Sequence, residues 1–214
     1  MAQDQAVDDF ETPPGEAPIV AFDFDGTLTV RDSFTAFLRW RAGRARYATG
    51  LMRLLPAALH FLFHRDRGRL KAAVVGEFLR GVPRRTLEAE ARTFAEQHSR
   101  AMLRPDAVAA WKRWRAQRVR LVIVTASPTL IVGPFARGLG AHGLLGTELA
   151  FDPDDRVAGG FTTPNCRGPE KVVRLRAAYG PDVEIRAAYG DTRGDREMLK
   201  AAETAGYRAF RDHP

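Results

Sequence analysis

Three short apolar runs, each followed at once by polar residues, constrain the fold of this 214-residue chain more than any other feature. The runs lie at 19–22, 121–124 and 184–189, and their composition predicts buried strands. Segments with helical periodicity lie around them and predict helices at 105–118, 128–139, 170–179 and 196–205. Because strands and helices alternate, we expect an α/β fold with a parallel sheet and right-handed crossovers.

A long helical, strand-poor stretch at residues 31–104 interrupts that alternation. We therefore predict an acidic disordered tail at 1–18, a core made of 19–30 and 105–214, and a helical insertion at 31–104. The tail has no Lys or Arg, which the start of an export signal requires. Inside the insertion, residues 51–63 are mostly apolar, but the run is too short to cross a membrane.

The positive charge of the chain is concentrated in one segment. Residues 39–71 contain nine Lys or Arg and one acidic residue, a net +8, whereas the whole chain carries +7. Such a patch predicts one docking surface for an anionic partner, and we expect no nucleic-acid binding. The single cysteine, Cys166, excludes an intrachain disulfide, which fits a reducing cytoplasm. We interpret it as a buried thiol and not as a nucleophile, because no histidine pairs with it in a recognisable motif.

Two neighbouring carboxylates, Asp23 and Asp25, follow the first strand. Such a pair repels unless a cation or a proton lies between them. With Mg²⁺ present, one carboxylate can stay ionised as a nucleophile, and the other can hold a proton for a leaving alkoxide. Gly26 allows a sharp turn that presents backbone N–H groups to an anion. The alternative is an ordinary surface turn rich in Asp and Gly.

Polar residues also follow the other two strands, at the sheet edge where open α/β folds bind ligands. Thr125 precedes a Ser127–proline pair that is typical of a helix start, where free N–H groups bind phosphoryl oxygens. Lys171 lies at a helix N-terminus, where its charge opposes the dipole and indicates a counter-anion. Asp191 and Asp195 add oxygen ligands, which favour Mg²⁺ over zinc. Each residue alone has an ordinary explanation, as a cap, a solvated lysine or a loop.

Taken together, these residues resemble the four-motif order of the haloacid dehalogenase-like phosphatases. The resemblance covers about residues 19–210 and consists of Asp23-x-Asp25-Gly26-Thr27, Thr125, Lys171 and Gly190-Asp191-x-x-x-Asp195. It implies a Rossmann-like core with a parallel sheet, and a helical cap at 31–104 that closes over the site and excludes water.

The same resemblance implies a role for each motif residue. Asp23 would form an aspartyl-phosphate, and Asp25 would protonate the leaving group and then activate water. The presence of Asp25 would distinguish a phosphatase from a dehalogenase of this family. The phosphoryl group would be held by the residues around it, namely Gly26, Thr27, Thr125, Ala126 and Lys171. Mg²⁺ would be bound by Asp23, the backbone carbonyl of Asp25 and Asp191, with Asp195 supporting the metal or Lys171.

Further residues resemble one branch of that family, subfamily IB, which includes the phosphoserine phosphatases. They are Asp32-Ser33-Phe34, 37–40, 51–63 and 166–172, and within the branch they are most similar to phosphatidylglycerophosphatase C. The resemblance implies dephosphorylation of phosphatidylglycerophosphate to phosphatidylglycerol, with a phospholipid partner.

The apolar stretch with its basic flanks would then lie on an anionic membrane, and the enzyme would be cytoplasmic and peripheral on the inner membrane. Alternatively, 51–63 forms the core of the cap. Two alternative functions are also open: a soluble phosphatase of a small phosphomonoester such as phosphoserine, and a non-catalytic basic binding protein.

Overall fold

The computed structural model describes residues 17–64 and 66–214, so the predicted acidic tail lies almost entirely outside the described residues. The described part contains seven strands: β1 (Ile19–Phe22), β2 (Arg120–Pro128), β3 (Gly143–Thr147), β4 (Leu149–Phe151), β5 (Val157–Phe161), β6 (Ile185–Gly190) and β7 (Thr204–Tyr207). Five of them form a parallel sheet in the order β3-β2-β1-β6-β7, and β4 pairs with β5 as an antiparallel hairpin. The predicted α/β fold with a parallel sheet is confirmed.

Eight α-helices accompany the strands in the described part: α1 (Ser33–Arg53), α2 (Leu55–His64), α3 (Arg67–Leu79), α4 (Arg84–Met102), α5 (Pro105–Arg115), α6 (Thr129–Leu139), α7 (Pro169–Tyr179) and α8 (Arg196–Ala201). The first four occupy the predicted insertion at 31–104, α5 follows before β2, and the division into a core and an inserted cap stays a prediction. Within the described ranges, no helix combines the length and apolarity that a membrane crossing requires.

Apolar residues cover both faces of the sheet, because successive side chains of a strand point to opposite sides. In β1, Ile19 and Ala21 belong to one hydrophobic cluster, whereas Val20 and Phe22 belong to the other. The first cluster is closed by α7 and α8. The second is closed by α5 and α6 and continues into buried side chains of α1 and α4. The helical stretch is therefore packed on the sheet domain through a continuous apolar core.

Some predicted elements differ from the structure. The helix predicted at 105–118 ends at Arg115, and the one predicted at 196–205 ends at Ala201 and is followed by strand β7. Strands β3, β4 and β5 were not predicted either, because their short, glycine-containing sequences carry little strand signal of their own. These segments become strands because they pair with neighbouring strands in the folded chain.

The second strand extends further than its apolar run. Extended backbone continues through residue 128, where Pro128 is paired with Thr147 of β3. The prediction that Ser127 caps the following helix is wrong: Pro128 occupies the N-cap position and no side chain caps α6. This extension places Ser127 in the strand, where its hydroxyl is available to the site.

Candidate active site

The site begins where β1 ends, at the carboxyl edge of the sheet. The N–H of Asp23 donates to the carbonyl of Tyr189 in β6, over 2.9 Å, which ties the residue to the neighbouring strand. The chain then forms an irregular turn, Phe24–Leu28, in which Gly26 has φ 86°. A Cβ at Gly26 would lie only 2.4 Å from Oδ2 of Asp191. Glycine is thus required both by the backbone conformation and by the close approach of a carboxylate.

Through one buried ammonium, Lys171 connects β2 with the segments that follow β1 and β6. Its Nζ lies 2.6 Å from Oδ1 of Asp23 and 2.7 Å from Oδ1 of Asp195, and donates to the carbonyl of Val124 over 2.6 Å. The side chain is 2% exposed. A charge this deep is stable only with such partners, so the protein itself supplies the counter-anions expected for a lysine at a helix N-terminus.

The electrostatics of this cluster follow from burial and mutual charge. Burial raises the pKa of Asp23 to about 7; Lys171 opposes this shift and Asp195 adds to it. Burial alone would lower the pKa of Lys171, but Asp23 and Asp195 raise it above its ordinary value. The pKa of Asp195 is lowered despite burial, because the charge of Lys171 stabilises its carboxylate. Asp23 is therefore the member of the cluster that most needs a further cation to stay ionised.

Asp195 is held from both sides. Its Oδ1 accepts from Lys171, and its Oδ2 accepts from the backbone N–H and the hydroxyl of Thr192, each over 2.9 Å. Thr192 in turn accepts from the N–H of Gly194, which completes a capping box at the start of a short 3-10 turn. This arrangement fixes the direction of Asp195 and thereby the position of the lysine ammonium.

Asp25 contacts a different set of groups. Its Oδ1 accepts from the N–H of Ser33 and its Oδ2 from the hydroxyl of Ser127, both over 2.6 Å, and the hydroxyl of Thr125 lies 3.5 Å from Oδ2. Burial and then the charge of Asp32 raise the pKa of Asp25, whereas the hydrogen bonds from Ser127 and Ser33 lower it. A carboxyl group with a raised pKa can hold a proton and donate it.

Ser127 and Ser33 are site residues that sequence reasoning missed. The sequence pattern indicates a helix cap for Ser127, and Ser33 contributes a backbone N–H, which has no sequence signature. One signal was available for Ser127. Thr125 and Ser127 are two residues apart, and in an extended strand such residues lie on the same face.

Three carboxylates form a candidate metal site. Asp23, Asp191 and Asp195 each offer an oxygen, and these oxygens lie within 4.8 Å of one another. The hydroxyl of Thr27, expected at the phosphate, donates to Asp23 over 3.2 Å and to Asp191 over 3.4 Å. Burial and the charge of Asp195 raise the pKa of Asp191. Three carboxylates against one lysine leave negative charge for a cation to neutralise, and an all-oxygen donor set fits Mg²⁺.

Lys71 reaches the site from α3. Its Nζ donates to the carbonyl of Ala126, and lies 5.9 Å and 5.8 Å from the ring centroids of Phe34 and Phe161. Burial lowers its pKa. The sequence analysis counts Lys71 in the basic segment 39–71, and the packing of α3 turns this one side chain towards the site. The Ala126 carbonyl also accepts from the hydroxyl of Thr147, over 2.7 Å.

Cys166 is fully buried, and burial raises the pKa of its thiol to about 11. A thiol in this state is neutral near physiological pH and a poor nucleophile. The candidate chemistry therefore belongs to the carboxylates and lysines. The motif residues that the structure brings together at the carboxyl ends of β1, β2 and β6 are Asp23, Asp25, Thr27, Thr125, Lys171, Asp191 and Asp195.

Comparisons with known proteins agree with this geometry. Residues 20–200 match the family model described as haloacid dehalogenase-like hydrolase. The chain is 57% identical to Protein CicA of Caulobacter vibrioides over 199 residues, which cover 93% of this chain and 89% of that protein.

Solved structures with the same fold include the following two. A protein of unknown function from Bordetella pertussis Tohama I has a TM-score of 0.72 at 22% identity, with 89% of each chain covered. A phosphoserine phosphatase, solved as a phospho-aspartyl intermediate analogue, has a TM-score of 0.58 at 18% identity, with 89% of this chain and 86% of that chain covered. At these identities the likeness extends to the fold alone.

Proposed function

This chain belongs to the haloacid dehalogenase-like hydrolase family, and from that premise we propose that it is a Mg²⁺-dependent phosphatase that acts through an aspartyl-phosphate on Asp23. One observation carries the proposal. Asp23 lies 2.6 Å from the buried ammonium of Lys171, within a cluster of three carboxylates. A nucleophilic carboxylate, a fixed cation and a metal-binding set are what phosphoryl transfer requires, because that reaction depends on positioning and charge neutralisation.

In the first step, a carboxylate oxygen of Asp23 attacks the phosphorus atom, and the bond between phosphorus and the leaving oxygen breaks. Asp25, whose pKa is raised by burial, gives its proton to the leaving alkoxide. Lys171 neutralises the equatorial oxygens of the phosphoryl group, and the hydroxyl of Thr125 donates to one of them. The first product is an alcohol, and the phosphoryl group remains on Asp23 as a mixed anhydride.

In the second step, the ionised Asp25 takes a proton from water, and the water oxygen attacks the phosphorus of the aspartyl-phosphate. The bond between phosphorus and Asp23 breaks, inorganic phosphate leaves, and the Asp23 carboxylate is restored. Ser127 and the Ser33 N–H hold Asp25 in one orientation for both proton transfers.

The metal would be held by Asp23 and Asp191, with the backbone carbonyl of Asp25 and with Asp195 in support. When bound, Mg²⁺ supplies positive charge that keeps Asp23 ionised and stabilises the phosphoryl oxygens. The engagement of both Asp195 oxygens by Lys171 and Thr192 supports a role in which Asp195 mainly positions the lysine.

For the substrate we propose phosphatidylglycerophosphate, hydrolysed to phosphatidylglycerol at the cytoplasmic face of the inner membrane. The residues that resemble phosphatidylglycerophosphatase C support this choice, and so does Lys71. Among the described residues, no carboxylate lies within ion-pair distance of Lys71. Burial lowers the pKa of Lys71, although the charges of Asp25 and Asp32 oppose that shift. A second anionic group on the substrate, such as the phosphodiester of this lipid, would pair with Lys71.

Phosphoserine remains the main alternative, because its carboxylate would pair with Lys71 equally well and because phosphoserine phosphatases share the fold. A non-catalytic basic binding protein is a third candidate. It is disfavoured because chemically competent residues occupy every motif position.

Comparing the hydrolysis of phosphatidylglycerophosphate in mixed micelles, of phosphoserine and of an aryl phosphate, with Mg²⁺ and with a chelator, distinguishes these functions. Turnover of the lipid well above that of phosphoserine is expected, and it should require Mg²⁺ and be abolished in Asp23→Asn. Lys71→Met should raise KM for phosphatidylglycerophosphate, or for phosphoserine if that is the substrate, more than KM for the aryl phosphate. Lys200→Met, at an exposed position, is the control. Efficient turnover of phosphoserine without lipid hydrolysis would favour the alternative, and an active Asp23→Asn would refute the mechanism.

A further inference from the structure

The most unusual surface of the described chain is an apolar stripe on the last turn of α1 and on α2. Six of the eight large hydrophobic side chains that are exposed in the described part lie within residues 51–63. They are between 47% and 82% exposed, and they are Leu51, Met52, Leu55, Leu59, Leu62 and Phe63. Within residues 51–63 only Leu54 is buried in the core, so most of this segment does not form the core of the helical stretch.

The geometry of the stripe is that of one helix face. Leu55, Leu59 and Leu62 are spaced four and three residues apart, and Phe63 follows, so their side chains share one side of α2. No residue of α2 is buried, and the helix packs mainly against α1 and α3. A contiguous apolar face of this kind marks an interaction surface, because exposure to water is unfavourable.

The charge around the stripe identifies its partner. Residues 39–71 carry nine Lys or Arg, of which Lys71 is turned into the site and three arginines pair with Glu77 or Glu90. Arg39, Arg44 and Arg69 are exposed, and none of them pairs with a carboxylate in the described ranges. Two copies of this face would bring like charges together, which disfavours self-association through it. An anionic lipid surface offers apolar chains to the stripe and negative headgroups to the arginines.

We infer that the apolar stripe of α1 and α2, with its flanking arginines, docks this protein onto an anionic lipid bilayer as a peripheral, non-spanning contact. The inference about docking stands on these exposed residues, and only its link to catalysis rests on the proposed function. That link is short. α3 follows α2 directly and carries Lys71 in its second turn, where the ammonium contacts the Ala126 carbonyl beside Thr125. A headgroup at the docked surface would thus lie close to the site.

Co-sedimentation of the full chain with vesicles tests this inference. The wild type should bind vesicles of phosphatidylcholine and phosphatidylglycerol, bind pure phosphatidylcholine far more weakly, and dissociate in high salt. The double variant Leu62→Asp/Phe63→Asp should lose at least about 10-fold in partition coefficient. Val173→Asp is the matched control, because Val173 is another large exposed hydrophobic residue but lies on α7. The double variant Arg44→Glu/Arg69→Glu should weaken the binding to anionic vesicles and leave the binding to pure phosphatidylcholine unchanged. Arg186→Glu, at an exposed position on β6, is its control and should leave both unchanged.

All variants should retain wild-type hydrolysis of a soluble aryl phosphate, which shows that the fold and the site are intact. Vesicle binding that is unchanged in Leu62→Asp/Phe63→Asp would overturn the inference, as would a wild-type protein that ignores anionic vesicles. A dimer in light scattering that this double variant dissociates would also overturn it, in favour of a second copy of the chain. If the wild type binds anionic vesicles but hydrolyses no phosphate ester, the docking surface stands and the proposed function fails.

Discussion

The hydroxyl of Ser127 donates to Oδ2 of Asp25 over 2.6 Å, although 102 residues separate them in the chain. It holds the proposed general acid in place from strand β2, while the N–H of Ser33 holds the other carboxyl oxygen from the start of α1. The orientation of one carboxyl group thus depends on two different elements. Removing either hydrogen bond should impair proton transfer by Asp25 and leave the fold intact.

Ser127→Ala should lower kcat by roughly 10- to 150-fold, because a hydrogen bond to a charged group contributes roughly 1.5–3 kcal/mol. The loss should be larger for an alkyl phosphate than for p-nitrophenyl phosphate, whose leaving group needs little protonation. Because the Ser127 hydrogen bond lowers the pKa of Asp25, the alkaline limb of the kcat profile should move to higher pH. Ser99→Ala on α4 is the control, because Ser99 makes no hydrogen bond to Asp25. Equal losses for both leaving groups would contradict a role in proton donation.

Asp23→Asn should abolish turnover and yet preserve stability in metal-free protein. The pKa of Asp23 is raised from 3.8 to about 7, so the folded state binds its proton more tightly than the unfolded state does. The stabilisation from that proton is present below about pH 4 and is lost as the pH rises through about 7. Asn cannot ionise and escapes this loss.

Thermal unfolding in a chelator from pH 4 to pH 8 measures the effect, with Asp182→Asn at an exposed position as control. The difference in unfolding temperature between Asp23→Asn and wild type should shift in favour of the variant as the pH rises across this range. A variant that becomes steadily less stable than wild type as the pH rises would contradict the prediction.

Gly26→Ala should weaken Mg²⁺ binding by at least about 10-fold, the lower end of the effect seen when groups that orient metal ligands are changed. The added Cβ would lie 2.4 Å from Oδ2 of Asp191 and displace this carboxylate. Gly81→Ala is a matched control, because Gly81 has a similar φ of 77° but no atom within 4 Å of an added Cβ.

Both alanine variants should lose roughly 1 kcal/mol of stability from the strained backbone. Only Gly26→Ala should require more Mg²⁺ for half-maximal activity or for thermal stabilisation. Equal Mg²⁺ requirements in the two variants would show that Asp191 is not a ligand.

Cys166 should resist alkylation in the native protein. Burial raises the pKa of its thiol from 9.0 to about 11, which leaves about 100-fold less thiolate at pH 8 than in an unfolded chain. Labelling with iodoacetamide, followed by mass spectrometry, should therefore be at least 100-fold slower in buffer than in denaturant. Similar rates in the two conditions would contradict the burial of Cys166.

The sequence alone predicts the α/β architecture and the motif positions that meet at one edge. The reason is geometric: carboxyl ends of parallel strands lie together, so polar residues after the strands of Phe22, Val124 and Tyr189 must converge. The family resemblance depends on the same residues. Local chemistry also marks Gly26, because only glycine suits a sharp turn of this kind.

Tertiary structure decides what depends on neighbours that are distant in sequence. Strand β7 forms because β6 offers a free edge, and Ser127 joins the site because β2 continues beside β3. Lys71 is turned into the site while Leu62 and Phe63, a few residues earlier, are turned outward. Composition records how apolar or basic a segment is, but the packing of α1, α2 and α3 determines which side chains are buried and which remain exposed to a partner.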